Sequence, residues 1–279
     1  MKKALQFLLL LIASLYHIDS YAQIQKIEHK DRIGDSIEII DIMPPQERIP
    51  LEPNFKGAWM LGGHIQTNGF GIGLQWDIIQ EKASYGNAYR NKFLDAYTIY
   101  YHLQEIKHAK EISTAQIRNN VFVSNEAYIL GKKNRLYNNQ LGFAYKKALG
   151  ANIEESSIAI HWLLGAHVNL GLVKPYYLRL SGLGEVKYDE EIAYDFINPG
   201  LIEGKGNYFK GFNEIELHAG LGFKTSIFFN LARKHQRINA VMVYGGWDYF
   251  FKPIDFMVES KSKKSFYQIG VSLYFGKYY

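Results

Sequence analysis

From Gly57 to Tyr279 hydrophobic residues recur with a period of two, the spacing of strands that have one apolar and one polar face. The first pair spans Trp59 to Trp76, with Asn68-Gly69 at its bend, a dipeptide that favours a tight type I′ turn. On the second arm Phe70, Ile72, Leu74 and Trp76 alternate with Gly71, Gly73, Gln75 and Asp77. The same alternation predicts strands near Leu94–Ile106, Arg135–Lys147, Ile158–Val173, Ile215–Phe229, Ile238–Phe251 and Phe266–Tyr279. In the fifth, Ile158, Ile160, Trp162 and Leu164 oppose Ala159, His161, Leu163 and Gly165, and the pattern runs on to Val173.

The result is about eight strands joined by connections of unequal length. Segments 78–91, 150–156 and 233–236 are short to moderate, whereas 107–134 and 175–213 are long and 252–264 is intermediate. An even strand number with short turns on one side and long loops on the other predicts an all-β, antiparallel up-and-down transmembrane β-barrel. A soluble, lipocalin-like barrel shows the same alternation with its faces reversed, so the polar face decides between them. Its exterior would need many Lys and Glu. Here that face carries mostly Gly, His, Asn, Gln and Ser in the second, fourth, fifth and eighth strands, which suits a narrow polar lumen.

The beginning of the chain breaks the pattern. Met1-Lys2-Lys3 is basic, Ala4 to Leu15 is apolar, and Ser20-Tyr21-Ala22 places small residues where a signal peptidase cuts. Residues 1–22 therefore read as a signal peptide, and the apolar run is short of the roughly 20 residues a membrane helix needs. Residues 23–55 mix charge with Ile and hold Pro44, Pro45, Pro50 and Pro53, as expected of a periplasmic arm or linker. The barrel occupies 56–279.

Composition narrows the reading further. With no cysteine, an exported chain has no disulfides to lean on and must rely on burial or on closing its sheet. The chain has 21 Tyr, 17 Phe and 4 Trp beside 25 Gly, which suits strands with wet and apolar boundaries. The net charge of +5 comes from basic residues scattered through loops, which favours lipid phosphates over nucleic acid as partners.

The C-terminus ends on Tyr279 with Phe275, Leu273 and Val271 on the same face, while Lys277 interrupts the pattern. This resembles the terminal-strand signal that the barrel-insertion machinery recognises. With the Ala22-Gln23 junction, the chain resembles the small, uncharacterised outer-membrane barrels of Bacteroidota-type bacteria. The resemblance implies an outer-membrane location in a Gram-negative cell and carries no activity with it.

Candidate chemistry lies on the polar face. Pairing strands across the turns brings His167, His218, Asp248 and Gln268 to a similar height with Glu216 close by, either a metal or proton-linked site or a buried polar filling. His161 and His167 stand about 20 Å apart along one strand and cannot share an ion. Glu185, Asp189, Glu190, Glu191 and Asp195 make an acidic stretch in the long fifth loop, either a calcium site or a solvated face. Lys132, Lys133, Arg135, Lys261, Lys263 and Lys264 fall near the outer rim, where they would meet lipopolysaccharide phosphates. No metal-ligand motif, phosphate loop or nucleophile elbow is present, so neither a cofactor nor a catalytic residue is expected.

These features point to a non-catalytic envelope anchor or docking subunit, accessory to secretion or outer-membrane assembly, with an envelope protein bound through 23–55. Two other readings stay open: a narrow channel for small solutes or ions, and a lipid-modifying outer-membrane enzyme.

Overall fold

In the computed structural model of the protein, residues 55–80, 95–114, 117–118, 121–122, 127–150, 158–231 and 237–279 are described. The signal peptide and residues 23–54 of the arm lie outside them. Eight antiparallel strands form a closed barrel: β1 (Gly57–Gln66), β2 (Gly69–Ile79), β3 (Ala96–Ile106), β4 (Asn134–Gly150), β5 (Ala159–Pro175), β6 (Glu216–Asn230), β7 (Arg237–Ile254) and β8 (Lys263–Tyr278). Each strand pairs with its sequence neighbour, and β8 returns to β1 through pairs such as Leu61–Phe275 and Ile65–Val271. The chain is an up-and-down barrel, as the period of two predicts.

One detail of the first hairpin differs. Gln66 pairs with Gly69, so the turn is Thr67-Asn68 and Gly69 already belongs to β2. The glycine is there because β3 passes close by: a Cβ on Gly69 would lie 1.8 Å from the Glu105 carbonyl oxygen.

The barrel is inverted relative to a soluble protein. Outward positions on adjoining strands carry half-exposed apolar residues, among them Leu61, Leu74, Ile99, Leu141, Leu221 and Leu273. Trp59, Trp76, Tyr97, Tyr145, Trp162 and Tyr279 mark the end of this band near the start of β1 and the end of β8 (the terminus side), and Tyr137, Tyr249 and Tyr267 mark the other. Outward polar groups inside the band bond to neighbours: Tyr101 Oη donates to Asn139 Oδ1 (2.6 Å), and Trp162 Nε1 to Thr225 Oγ1 (2.9 Å). Inward positions carry buried Gln75, His102, Asn138, Gln140, His167, Lys224 and Asp248.

Apolar layers close both ends of this polar interior. On the terminus side Met60, Phe228, Ile238, Met242, Tyr274 and Tyr278 pack together, and Phe55 stacks on Tyr278 at 5.3 Å. The last residue assigned to the arm is thus part of the plug. On the loop side Ile106, Leu136, Val173, Phe250, Phe256 and Phe266 form the second layer.

The long connections build a cap above that layer. Tyr177–Leu180 pairs with Gly184–Lys187 on one side and Ile202–Lys205 on the other, and a short helix spans Ala193–Ile197. The three connections after β3, β5 and β7 meet at Gly131, whose N–H donates to Phe196 O (3.1 Å) and whose carbonyl accepts from Val258 N (2.8 Å). Gly131 holds φ at 65°, a left-handed conformation that favours glycine. Tyr128, Leu178, Leu180, Phe196 and Ile202 form the cap's own core.

Candidate functional site

The polar interior is organised around Asp248, whose surface is fully buried. Five side chains donate to its carboxylate: His167 Nε2 (2.6 Å), Gln140 Nε2 (2.9 and 3.1 Å), Asn169 Nδ2 (3.1 Å), Asn138 Nδ2 (3.3 Å) and Gln268 Nε2 (3.3 Å). Those from β4 and β5 reach across the lumen to β7, and Gln268 comes from its neighbour β8. Period-two alternation aims each of them inward, and the register sets their common height: His167 and Asp248 both pair with Gly222 of β6. A Cβ there would lie 2.3 Å from His167 Nε2 and 2.4 Å from Asp248 Oδ1. Gly142 performs the same service for Tyr100, whose ring would lie 2.3 Å from an added Cβ.

A buried carboxylate needs an opposite charge as well as donors. Lys224 supplies it through Gln140, which accepts from Lys224 Nζ (3.3 Å) at Oε1 while its amide nitrogen donates to Asp248. Lys224 Nζ also stands 2.8 Å from His102 Nδ1, and His102 Nε2 stands 2.9 Å from Tyr274 Oη. With Lys224 as the ammonium, His102 accepts at Nδ1, carries its own proton on Nε2 and donates to Tyr274. A second ionic centre lies nearer the terminus side, where Lys146 Nζ donates to Asp77 Oδ2 (2.6 Å) and Thr98 to Asp77 Oδ1 (2.6 Å). Asp248 and Asp77 therefore stand with Lys224 and Lys146.

Tyr100 Oη lies 2.9 Å from His167 Nδ1, which completes a hydroxyl–imidazole–carboxylate chain. The geometry resembles the relay of a hydrolase, but a relay needs room for a substrate. The void bordered by Tyr100, His102, Lys224 and Gln75 measures about 10 Å³, enough for roughly one water. The network fills and cross-braces the lumen.

The structure brings together His167, Asp248 and Gln268 and leaves out His218 and Glu216. His218 lies four residues nearer the loop end than Gly222 and meets only the Glu216 carboxylate, at 3.5 Å, while the Glu216 side chain is 77% exposed. Tyr100, His102, Asn138, Gln140, Asn169, Lys224 and Tyr274 complete the cluster. Lys224 was the available signal, because a lysine aimed into a narrow lumen requires a buried anion.

The six rim cations separate into two groups. Lys132 is 1% exposed and pairs with Glu111, so it faces no lipid. Burial pulls its ammonium below the usual lysine range, against the opposing pull of Glu111. Lys133 stands 4.0 Å from the Tyr188 ring centroid, and Arg135 bonds to Glu105 (3.4 Å) over the Tyr176 ring. Lys261, Lys263 and Lys264 are exposed. In the acidic stretch Glu185 is taken up by Arg179 and Lys210, and Asp189 caps the short 3-10 turn that follows. Among the described residues no three His, Asp or Glu side chains gather to hold a metal ion. Val271, Leu273, Phe275 and Tyr279 all point outward, Tyr279 with its hydroxyl on Trp76 Nε1.

No family model matches the chain, and no curated protein does. Among solved structures the chain is similar to Neisserial surface protein A, at 6% identity over 80% of this chain and 96% of that one, with a TM-score of 0.36. It is also similar to Ail, the attachment invasion locus protein of Yersinia pestis, at 8% identity over 81% and 99% of the two chains, with a TM-score of 0.34.

Proposed function

We propose that the chain is a non-catalytic outer-membrane β-barrel of a Gram-negative cell, of the Bacteroidota type that its signal junction and last strand resemble. It serves as an envelope anchor that holds the cap outside and the arm 23–55 in the periplasm, where the arm docks an envelope protein of a secretion or assembly machine. The observation that carries this reading is the inverted barrel with both mouths plugged. An apolar exterior needs a lipid solvent, and a closed sheet leaves no backbone edge unsatisfied in it. With the start of β1, the end of β8 and the shorter turns on one side and the cap on the other, the usual asymmetry of such barrels puts the cap outside.

The same plugs weigh against the two other readings. An ion path would have to cross Phe228 and Met242 at one end, the Asp248 network in the middle, and Phe250 and Phe256 at the other. A lipid-modifying enzyme would need the Tyr100–His167–Asp248 chain to open towards the bilayer, and it is enclosed. Lys261, Lys263 and Lys264 are the cations placed to meet lipopolysaccharide phosphates, and the outward row Val271, Leu273, Phe275 and Tyr279 is what the insertion machinery would read.

The test is fractionation of cells that make the protein, followed by mild detergent extraction and affinity capture of the full chain and of a chain lacking residues 23–54. Recovery in the outer membrane, with a stoichiometric envelope protein lost on the deletion, is the expected result. A mature chain soluble in the periplasm without detergent overturns the barrel anchor. Capture of the same proteins by both chains overturns docking through the arm.

A further inference from the structure

The end of the long fifth connection is bonded to the cap, through Gly206 N–H to the Tyr177 carbonyl and Asn207 N–H to Glu185, and also lies against the barrel wall. Tyr208 Oη meets Tyr137 Oη at 2.7 Å, and Tyr137 is an outward residue of β4. The register puts Tyr137 in one row with Leu172 of β5 and Leu217 of β6, at the loop-side edge of the apolar band. Lys174, an outward residue beside Arg135, donates to the Tyr208 carbonyl and stands 4.4 Å from the Tyr208 ring and 4.3 Å from the Phe212 ring. The rings roof it so closely that it is 3% exposed. Tyr208, Phe209 and Phe212 also pack on one another, with centroids 5.6 to 6.3 Å apart. What this arrangement leaves most exposed is Phe209, at 77%, while Leu217, in the Tyr137 row, is 59% exposed.

An aromatic cluster that shields Lys174 while leaving a phenyl ring 77% exposed is poorly placed against water. It is well placed where lipid headgroups meet acyl chains, the zone that aromatic rings favour. We propose that Tyr208, Phe209 and Phe212 form a lipid-contacting shelf that enters the headgroup–acyl boundary of the outer leaflet and sets the depth of the cap above the bilayer. The inference rests on the membrane-barrel reading, and its occupant is bilayer lipid, argued from continuity with the apolar band.

Because the chain has no cysteine, a single introduced one can be spin-labelled without side reactions. Three variants of the full mature chain are reconstituted into vesicles of phosphatidylcholine and phosphatidylglycerol: Phe209→Cys on the shelf, Leu141→Cys mid-wall and Glu190→Cys on the cap. Collisional relaxation by oxygen, which concentrates in lipid, is compared with relaxation by a water-soluble nickel chelate. The shelf label should resemble the mid-wall label in favouring oxygen, with a ratio several-fold above that of the cap label. A shelf label matching Glu190→Cys while Leu141→Cys is lipid-like overturns the shelf and leaves the barrel standing. A water-like Leu141→Cys label overturns the membrane reading itself. If Phe209→Cys does not insert, Phe212→Cys reads the same shelf from its other end.

Discussion

His167 Nε2 lies 2.6 Å from Asp248 Oδ1 although their strands, β5 and β7, are not neighbours. β6 passes between them, and the contact exists because β6 presents Gly222 at that point, with no side chain to intervene.

Gly222→Ala should therefore wedge the pair apart and destabilise the barrel by about 1–3 kcal/mol, the usual cost of overpacking a filled interior. Asp248→Asn keeps the shape but removes the anion that Lys224 faces, and should cost about 3–5 kcal/mol. Urea unfolding in detergent micelles measures both. A variant as stable as the wild type in either case would show that the network is not a brace.

Asp77 and Lys146 offer a cleaner separation of charge from packing. Asp77→Asn and Lys146→Met should each be strongly destabilising, because each strands one buried charge. The double variant should lose clearly less than the two single losses added together. Additive losses in the unfolding midpoints would mean that the two side chains are not coupled.

Purified protein in planar bilayers should show no conductance steps, since apolar layers seal both ends of the lumen. Phe256→Ala alone should not open it, because the Asp248 network lies below. Reproducible single-channel steps from the wild type would sink the filled-lumen account.

Acid should loosen the shelf. Glu214 accepts from Tyr177 Oη (2.8 Å) and Lys187 Nζ (2.9 Å), and these bonds hold its carboxyl below the usual glutamate range. A depressed carboxyl contributes stability that is fully present above its unfolded value and is lost as pH falls through its folded value. The same bonds raise Lys187, whose contribution is present below the ordinary lysine range and persists to higher pH. Amide exchange in residues 206–214 should therefore be slow at neutral pH and, after correction for intrinsic rate, gain several-fold as pH falls below the ordinary glutamate range. Glu214→Gln should be fast at both, and a wild type equally protected at both would contradict the tether.

The strand number and the face of each side chain were legible in the sequence because a period of two is a local property. Relative height was not. It depends on how far each strand slides against the next as the sheet closes, and the long connection between β5 and β6 hides that offset for His218. A displacement of four residues along β6 is enough to move it from the Asp248 network to the rim. Lys132 misleads for another reason. Its neighbours Lys133 and Arg135 suggest a basic rim, whereas the packing of loops from distant parts of the chain turns it inward onto Glu111. The cap core was hidden too, since Tyr128, Leu178, Phe196 and Ile202 follow no repeat within their connections.

The seam between β1 and β8 has a consequence in time. Gly57 and Lys56 donate to the Tyr279 carbonyl and Tyr279 N–H donates back to Gly57, so the first strand of the barrel is bonded to the residue that follows the eighth. Until the eighth strand has been made, β1 has no partner on that side. Until then the growing sheet keeps an open strand edge, a template for aggregation if left bare. The wait ends only when β8 arrives.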